Sequence, residues 1–302
     1  MRLRFVRNHK TAFTLVELLV VLSICSLLLG ILLPALSKAR RSVHSMLSKN
    51  NQRLIVIGVL CYSSDNDGQF PDSVAKLGPV THWSWQEPTV LAGFRKQTPT
   101  TYRSVSEYLK DYIESSSTMF CPSSPSKYQY AQEAWEAGDT WDNPITSTAA
   151  EDPLFGTYCL YWNYVGYLEE TGRPFVGPQS TSQPSYESKL LISDYFGYGH
   201  WRNELAYGNR KAYGSCEKFN SASVTPGTSV SCDFWSQHNR AGDLPLNSIV
   251  INLSAGFIDG RVETYTPADV KSMKISIKPD GTLPYPDHVS PGGTFYIPRN
   301  SR

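Results

Sequence analysis

Six cysteines, Cys25, Cys61, Cys121, Cys159, Cys216 and Cys232, are the side chains of this 302-residue chain best suited to covalent chemistry. None stands in a C-x-x-C pair, so zinc binding and dithiol redox chemistry lack their usual spacing. In an oxidising compartment disulfides are open to them. Cys216 and Cys232 flank a Ser, Thr, Pro and Gly-rich stretch, and a bond there would close a loop of about 15 residues, worth up to ~3 kcal/mol on the entropic model. Cys121 with Cys159 is a second possible pair, while Cys25 and Cys61 fall in apolar helical sequence and are read as structural. "SDYFGYGHW" sets Asp194, His200 and Trp201 close together, where they could hold a metal or polar ligand; an aromatic loop with a satisfied histidine is the preferred reading. "DNDG" resembles the start of a calcium loop but lacks the later acid, and is read as a turn. G-x-S-x-G, H-E-x-x-H, P-loop and G-x-G-x-x-G motifs are all missing, so no catalytic residue is expected.

The most unusual ionisable group is Glu17, the one charge between Phe13 and Leu33. That run is about the ~20 residues a helix needs to cross a bilayer. A carboxylate at the centre of such a span costs ~2.5–3.5 kcal/mol, softened near an end by snorkelling. Glu17 fits the first helical turn, where the helix dipole favours an acid. It also fits a partner cation, which an amine at Phe13 would supply if the chain were cut there. Arg2, Arg4, Arg7 and Lys10 precede the run, but Lys38, Arg40, Arg41, Lys49 and Arg53 follow it, so the positive-inside rule leaves orientation open. A cleaved secretory signal, with "ILLPALSKA" as its site, is the competing reading, although its apolar core would normally span only ~7–15 residues.

"AFTLVELLVVLSICSLLLGILLP" resembles the N-terminal motif of type IV prepilins and type II secretion pseudopilins. The resemblance implies that a prepilin peptidase cuts between Ala12 and Phe13 and methylates the new amine. It makes Glu17 and Pro34 assembly positions, and it orients the leader inside and the bulk of the chain outside. Ala12 departs from the glycine usual before the cut, which bears on the rate of cleavage. The same resemblance makes calcium a possible ligand, with Asp194, Asp233 and Asp259 as conceivable donors. "FIDGRVE", with His238 matched loosely upstream, is similar to a bacterial branch that carries a C-terminal Asp-Gly hairpin.

Pro34 removes one helical hydrogen bond, at the carbonyl of Gly30. It marks either a soft point in one helix or the first turn of a second. Beyond it, Leu36, Ala39, Val43, Met46, Leu47, Leu54, Ile57 and Cys61 recur at helical spacing, and the basic residues lie on the other face. The helix is expected to reach about Tyr62, where "SSDNDGQFPD" supplies turn residues.

The chain then divides into a basic leader (1–12), a long helix (13–62, with 13–33 transmembrane and 34–62 amphipathic) and a globular domain (63–302). Residues 105–113 and 127–137 read as helices, and "YCLYWNYVGYL", "KLLISDYF" and "SIVINLSAGFIDGRVETY" as strands. Loops are expected at 114–126, 138–153 and 171–188, with a Pro/Gly-rich tail at 278–302. Asp259-Gly260 predicts a two-residue type I′ hairpin. The fold class is α+β, a membrane-spanning helix followed by a mainly antiparallel sheet.

A formal net charge of +1 argues against a nucleic-acid partner. The leading functional expectation is a non-enzymatic prepilin-like subunit, packed through its N-terminal helix against other pilin or pseudopilin subunits and handled by inner-membrane assembly machinery. Its localisation would be the inner membrane, single-pass, with a periplasmic C-terminal domain and a place in an extracytoplasmic filament. The alternative is an anchored binding or enzymatic module, for which aromatic stretches such as "HWSW" would suit a carbohydrate or peptide surface.

Overall fold

The computed structural model describes residues 14–76, 88–92, 103–122, 130–141, 154–168, 173–182, 188–198, 252–274 and 294–301. By internal contacts the chain divides into two units, Met1–Val43 and His44–Arg302.

One helix, α1 (Leu15–Asp65), runs through Pro34 without a break. Proline therefore does not open a second helix; the neighbouring turns keep their bonds and only the Gly30 carbonyl loses its usual donor. In the first unit the apolar side chains from Leu15 to Leu36 are all exposed. Ser23 and Ser26 donate to the carbonyls of Val20 and Leu22, both at 2.8 Å, so neither hydroxyl is left unsatisfied in the apolar run.

The second unit is built on the rest of α1. Its inward stripe is Ser48, Gln52, Ile55, Val56, Val59 and Ser63, all at 1% exposure or less. That spacing of three and four is a helical face, and it is a different face from the apolar stripe that runs from Leu36 to Cys61. Val43, Met46, Leu47, Leu54 and Ile57 are exposed, as is the Cys61 thiol. The helix carries two apolar stripes, and the domain uses the one interrupted by polar residues.

The inward stripe packs on a four-stranded sheet of β3 (Tyr158–Leu160), β6 (Leu190–Asp194), β8 (Leu253–Phe257) and β9 (Val262–Tyr265), in that order. Gly256 of β8 permits the close approach. A Cβ there would lie 2.7 Å from a Val56 methyl and 2.8 Å from an Ile192 methyl. A five-stranded sheet holds β4 (Val165–Leu168), β5 (Arg173–Val176), β7 (Gly197–Tyr198), β10 (Val270–Lys274) and β11 (Thr294–Pro298), in the order β5-β4-β10-β11-β7. A two-stranded ribbon pairs β1 (Val90–Ala92) with β2 (Leu154–Phe155). Every ladder among the described residues is antiparallel. The architecture is α+β.

Two short helices, α2 (Val105–Leu109) and α3 (Ala131–Ala137), fall within the expected helical segments. Ser104 caps α2 by accepting from the Ser106 amide. The stretch expected to be a Pro/Gly-rich tail contributes β11, paired to β10 along five register positions from Val270↔Pro298 to Lys274↔Thr294. The β8–β9 hairpin forms, with a different turn. Gly260 has φ +82 and Asp259 does not lie in the left-handed region. The Gly260 amide donates to the Phe257 carbonyl at 2.9 Å. This is a three-residue loop, a type I turn closed by a left-handed glycine, rather than type I′.

Candidate assembly site

Glu17 occupies the third position of α1. The Thr14 amide and the Thr14 hydroxyl donate to Glu17 Oε2 at 2.8 and 2.7 Å, and the Glu17 amide donates back to Thr14 Oγ1 at 3.3 Å. Thr14-Leu15-Val16-Glu17 is thus a capping box, which satisfies amides that a helix N-terminus otherwise leaves open. The acid sits where the helix dipole favours it, and Thr14 holds it there. Among the described residues Glu17 Oε1 accepts no hydrogen bond, so one oxygen stays available to a cation. Ala12 and Phe13 lie outside the described residues.

In the second unit a buried polar cluster joins α1 to the sheet. Asp194 Oδ1 accepts from Gln52 Nε2 at 3.0 Å and from Ser48 Oγ at 3.3 Å. Its Oδ2 accepts from the Ser254 amide at 2.7 Å. Ser48 Oγ also lies 3.0 Å from the Tyr158 hydroxyl, and Tyr158 stands opposite Asp194 in the β3–β6 register. Ser48, Gln52, Asp194 and Ser254 are fully buried, as such groups can be only when hydrogen-bonded. Burial, with Cys121 and Asp194 nearby, drives the Tyr158 phenol well above its ordinary value.

These contacts occupy the carboxylate of one conceivable calcium donor. The Asp194 carboxylate faces N–H and O–H donors from α1 and β8, and is committed to holding the helix on the sheet. Asp259 sits at the tip of the β8–β9 hairpin, ion-paired with Arg261. The two acids do not form a joint site, and among the described residues no group of three or more His, Cys, Asp or Glu converges to hold a metal. Asp233, His200, Trp201 and His238 lie outside the described residues.

The Cys121–Cys159 pairing is corrected. Both residues are buried and carry thiols instead of a shared disulfide. The reason is strand alternation. Cys121 packs in the cluster that contains Tyr158 and Leu160, on the α1 side of β3. Cys159, between those two, points to the other face, where it neighbours Tyr161. Cys216 and Cys232 lie outside the described residues. Sequence reasoning missed the Ser48–Gln52–Asp194 cluster; the available signal was two polar residues in register with Ile55, Val56 and Val59.

Residues 7–33 match the family model described as "Prokaryotic N-terminal methylation motif". No curated protein and no solved structure matches the chain. The match makes the N-terminus prepilin-type, a motif that implies a pilin-like chain processed by a prepilin peptidase, and it lies on an apolar helix suited to membrane anchoring or export. Chains with this motif are typically structural.

Proposed function

We propose that this chain is a pseudopilin-like structural subunit. A membrane peptidase removes residues 1–12 and methylates the Phe13 amine, and helix residues 13–33 then pack beside those of other subunits in a pilus or type II secretion pseudopilus. Residues 63–302 form the domain on the outer side of the inner membrane, and the Asp259-Gly260 hairpin fits the branch with that C-terminal feature. Cys216 and Cys232 close a disulfide loop in this domain. The observation that carries the reading is the methylation motif at residues 7–33, which ends in a fully exposed apolar helix face. Glu17 supports it: Thr14 uses one carboxylate oxygen, and the other is free to meet the Phe13 amine of a neighbouring subunit.

The test is the mass and first residue of the mature protein from membranes, followed by cross-linking between adjacent N-terminal helices. A methylated Phe13 and a ladder of cross-linked species are expected. A mature chain beginning near residues 37–41 would replace this reading with a secreted protein.

A further inference from the structure

Past its apolar run α1 becomes basic, with no acid of its own to balance the charge. Between Glu17 and Asp65 the helix holds neither Asp nor Glu, and Lys38, Arg40 and Arg41 are the first charges after Glu17. Lys38 and Arg40 are exposed, and neither is ion-paired among the described residues.

In the orientation proposed above, with the leader on the cytoplasmic side, these charges follow the span on the far side of the membrane. The positive-inside rule disfavours lysine and arginine there. A basic cluster in that place calls for a local source of negative charge.

Depth along the helix brings the cluster to the headgroups. At 1.5 Å per residue Lys38 lies about 8 Å beyond Leu33, and Arg41 about 12 Å. The polar layer of a bilayer extends about 5–8 Å from each edge of the hydrocarbon core. Side chains on a helix lean toward its N-terminus, here back toward the span, and long basic ones carry their charge to the polar layer while their stems stay on apolar surface.

The angular spread favours lipid over a docked protein. At 3.6 residues per turn Lys38 and Arg40 are about 200° apart, on opposite sides of the helix. A partner seated on one face would meet only one of them, whereas lipid surrounds the helix. The apolar side chains from Leu15 to Leu36 are exposed all round in the same way, as in a span bathed in lipid.

We propose that Lys38, Arg40 and Arg41 form a collar that holds the anionic headgroups of the leaflet at which the span ends. This rests on the orientation in the subunit reading above, and adds to it a lipid partner and a fixed depth for the helix before assembly.

The experiment uses the full chain, purified from membranes and returned to vesicles of phosphatidylcholine and phosphatidylglycerol, with spin-labelled forms of each lipid reporting its association with the protein. Wild type is compared with a triple variant, Lys38→Gln with Arg40→Gln and Arg41→Gln, and with a charge-keeping one, Lys38→Arg with Arg40→Lys and Arg41→Lys. Both variants retain good helix formers, and protease resistance of the domain checks folding. Preference for phosphatidylglycerol should fall about fivefold or more in the glutamine variant, persist in the charge-keeping one, and weaken with added salt in wild type. Equal preference in wild type and the glutamine variant, or its loss in the charge-keeping variant, would overturn the collar and leave the subunit reading intact. A glutamine variant that keeps the lipid preference but loses the cross-linked ladder would assign these charges to acids of a neighbouring subunit and overturn the lipid contact. A mature chain beginning near residues 37–41 would remove the span and end both readings together.

Discussion

The Gln52 side-chain amide of α1 donates to the Asp194 carboxylate of β6 across 3.0 Å, and both residues are fully buried. With Ser48 and the Ser254 amide on the same carboxylate, this contact seats the helix on the sheet at one register. Asp194→Ala would leave three donors without their acceptor and is expected to cost about 3–5 kcal/mol. Gln52→Ala, which leaves Asp194 two of these donors, should cost about 1–3 kcal/mol. Denaturant midpoints of the two variants measure this, and equal losses would mean that the carboxylate is not the hub.

Gly256→Ala tests the same seat from the apolar side. Its added methyl would meet Val56 and Ile192 at under 3 Å, and overpacking of this kind costs about 1–3 kcal/mol. Gly30→Ala is the contrast: nothing lies within 4 Å of its Cβ position. Thermal unfolding should separate the two.

At Glu17 the structural and assembly roles can be divided. Thr14→Ala breaks the capping box and should weaken the helix start by about 1 kcal/mol, while leaving the carboxylate and the cross-linked ladder. Glu17→Ala should still insert and be cut before Phe13. Its ladder should be lost, because an unpaired buried amine costs about 3–5 kcal/mol between packed helices. Equal ladders in wild type and Glu17→Ala would leave the acid only its capping role.

Thiol mapping checks the cysteine assignments. Cys121 and Cys159 should resist alkylation in the folded domain and react fully on unfolding, whereas exposed Cys61 should react at once. Under non-reducing conditions one bond, Cys216 to Cys232, is expected. A Cys121–Cys159 peptide pair would contradict the placement of these residues on opposite faces of β3.

The tyrosines near the end of α1 predict a loss of stability in alkali. Burial first, then the charge of Asp72, pushes the Tyr108 phenol from its ordinary 10.0 up to about 12. The hydrogen bond to Asp65 does the same for Tyr112, also to about 12. In each case the folded state holds its proton more tightly than the unfolded chain. The resulting stability is complete below about pH 10 and is lost as pH rises through about 12. Tyr112→Phe should flatten this slope, read as denaturant midpoint against pH alongside phenolate absorbance.

The parts of this fold set by local sequence were legible. An unbroken apolar run, an acid in its first turn and Asp-Gly at a hairpin each act over a few residues. The parts set by distant partners were not. Ser48 and Gln52 look like solvent-facing positions until Asp194, 142 residues beyond Gln52, is brought beneath them. The stripe from Val43 to Cys61 was legible from spacing alone, but that Ser48 and Gln52 face inward and the stripe outward is set by that distant carboxylate. Thr294–Pro298 pairs with β10 along five positions; its Thr-Phe-Tyr-Ile run favours a strand, but the Pro and Gly residues around it read as a tail.

The order of strands in the five-stranded sheet has a kinetic consequence. β4 finds β5 at once, but its other edge waits for β10, with Met273 opposite Leu168. At the ~5–20 residues per second of synthesis, the intervening stretch of roughly a hundred residues takes on the order of 5–20 s to make. For that interval the β4–β5 hairpin keeps a row of unpaired amides and carbonyls, a template for any other chain in the same state. The rate at which residues 177–269 are synthesised therefore sets how long each nascent chain remains open to aggregation.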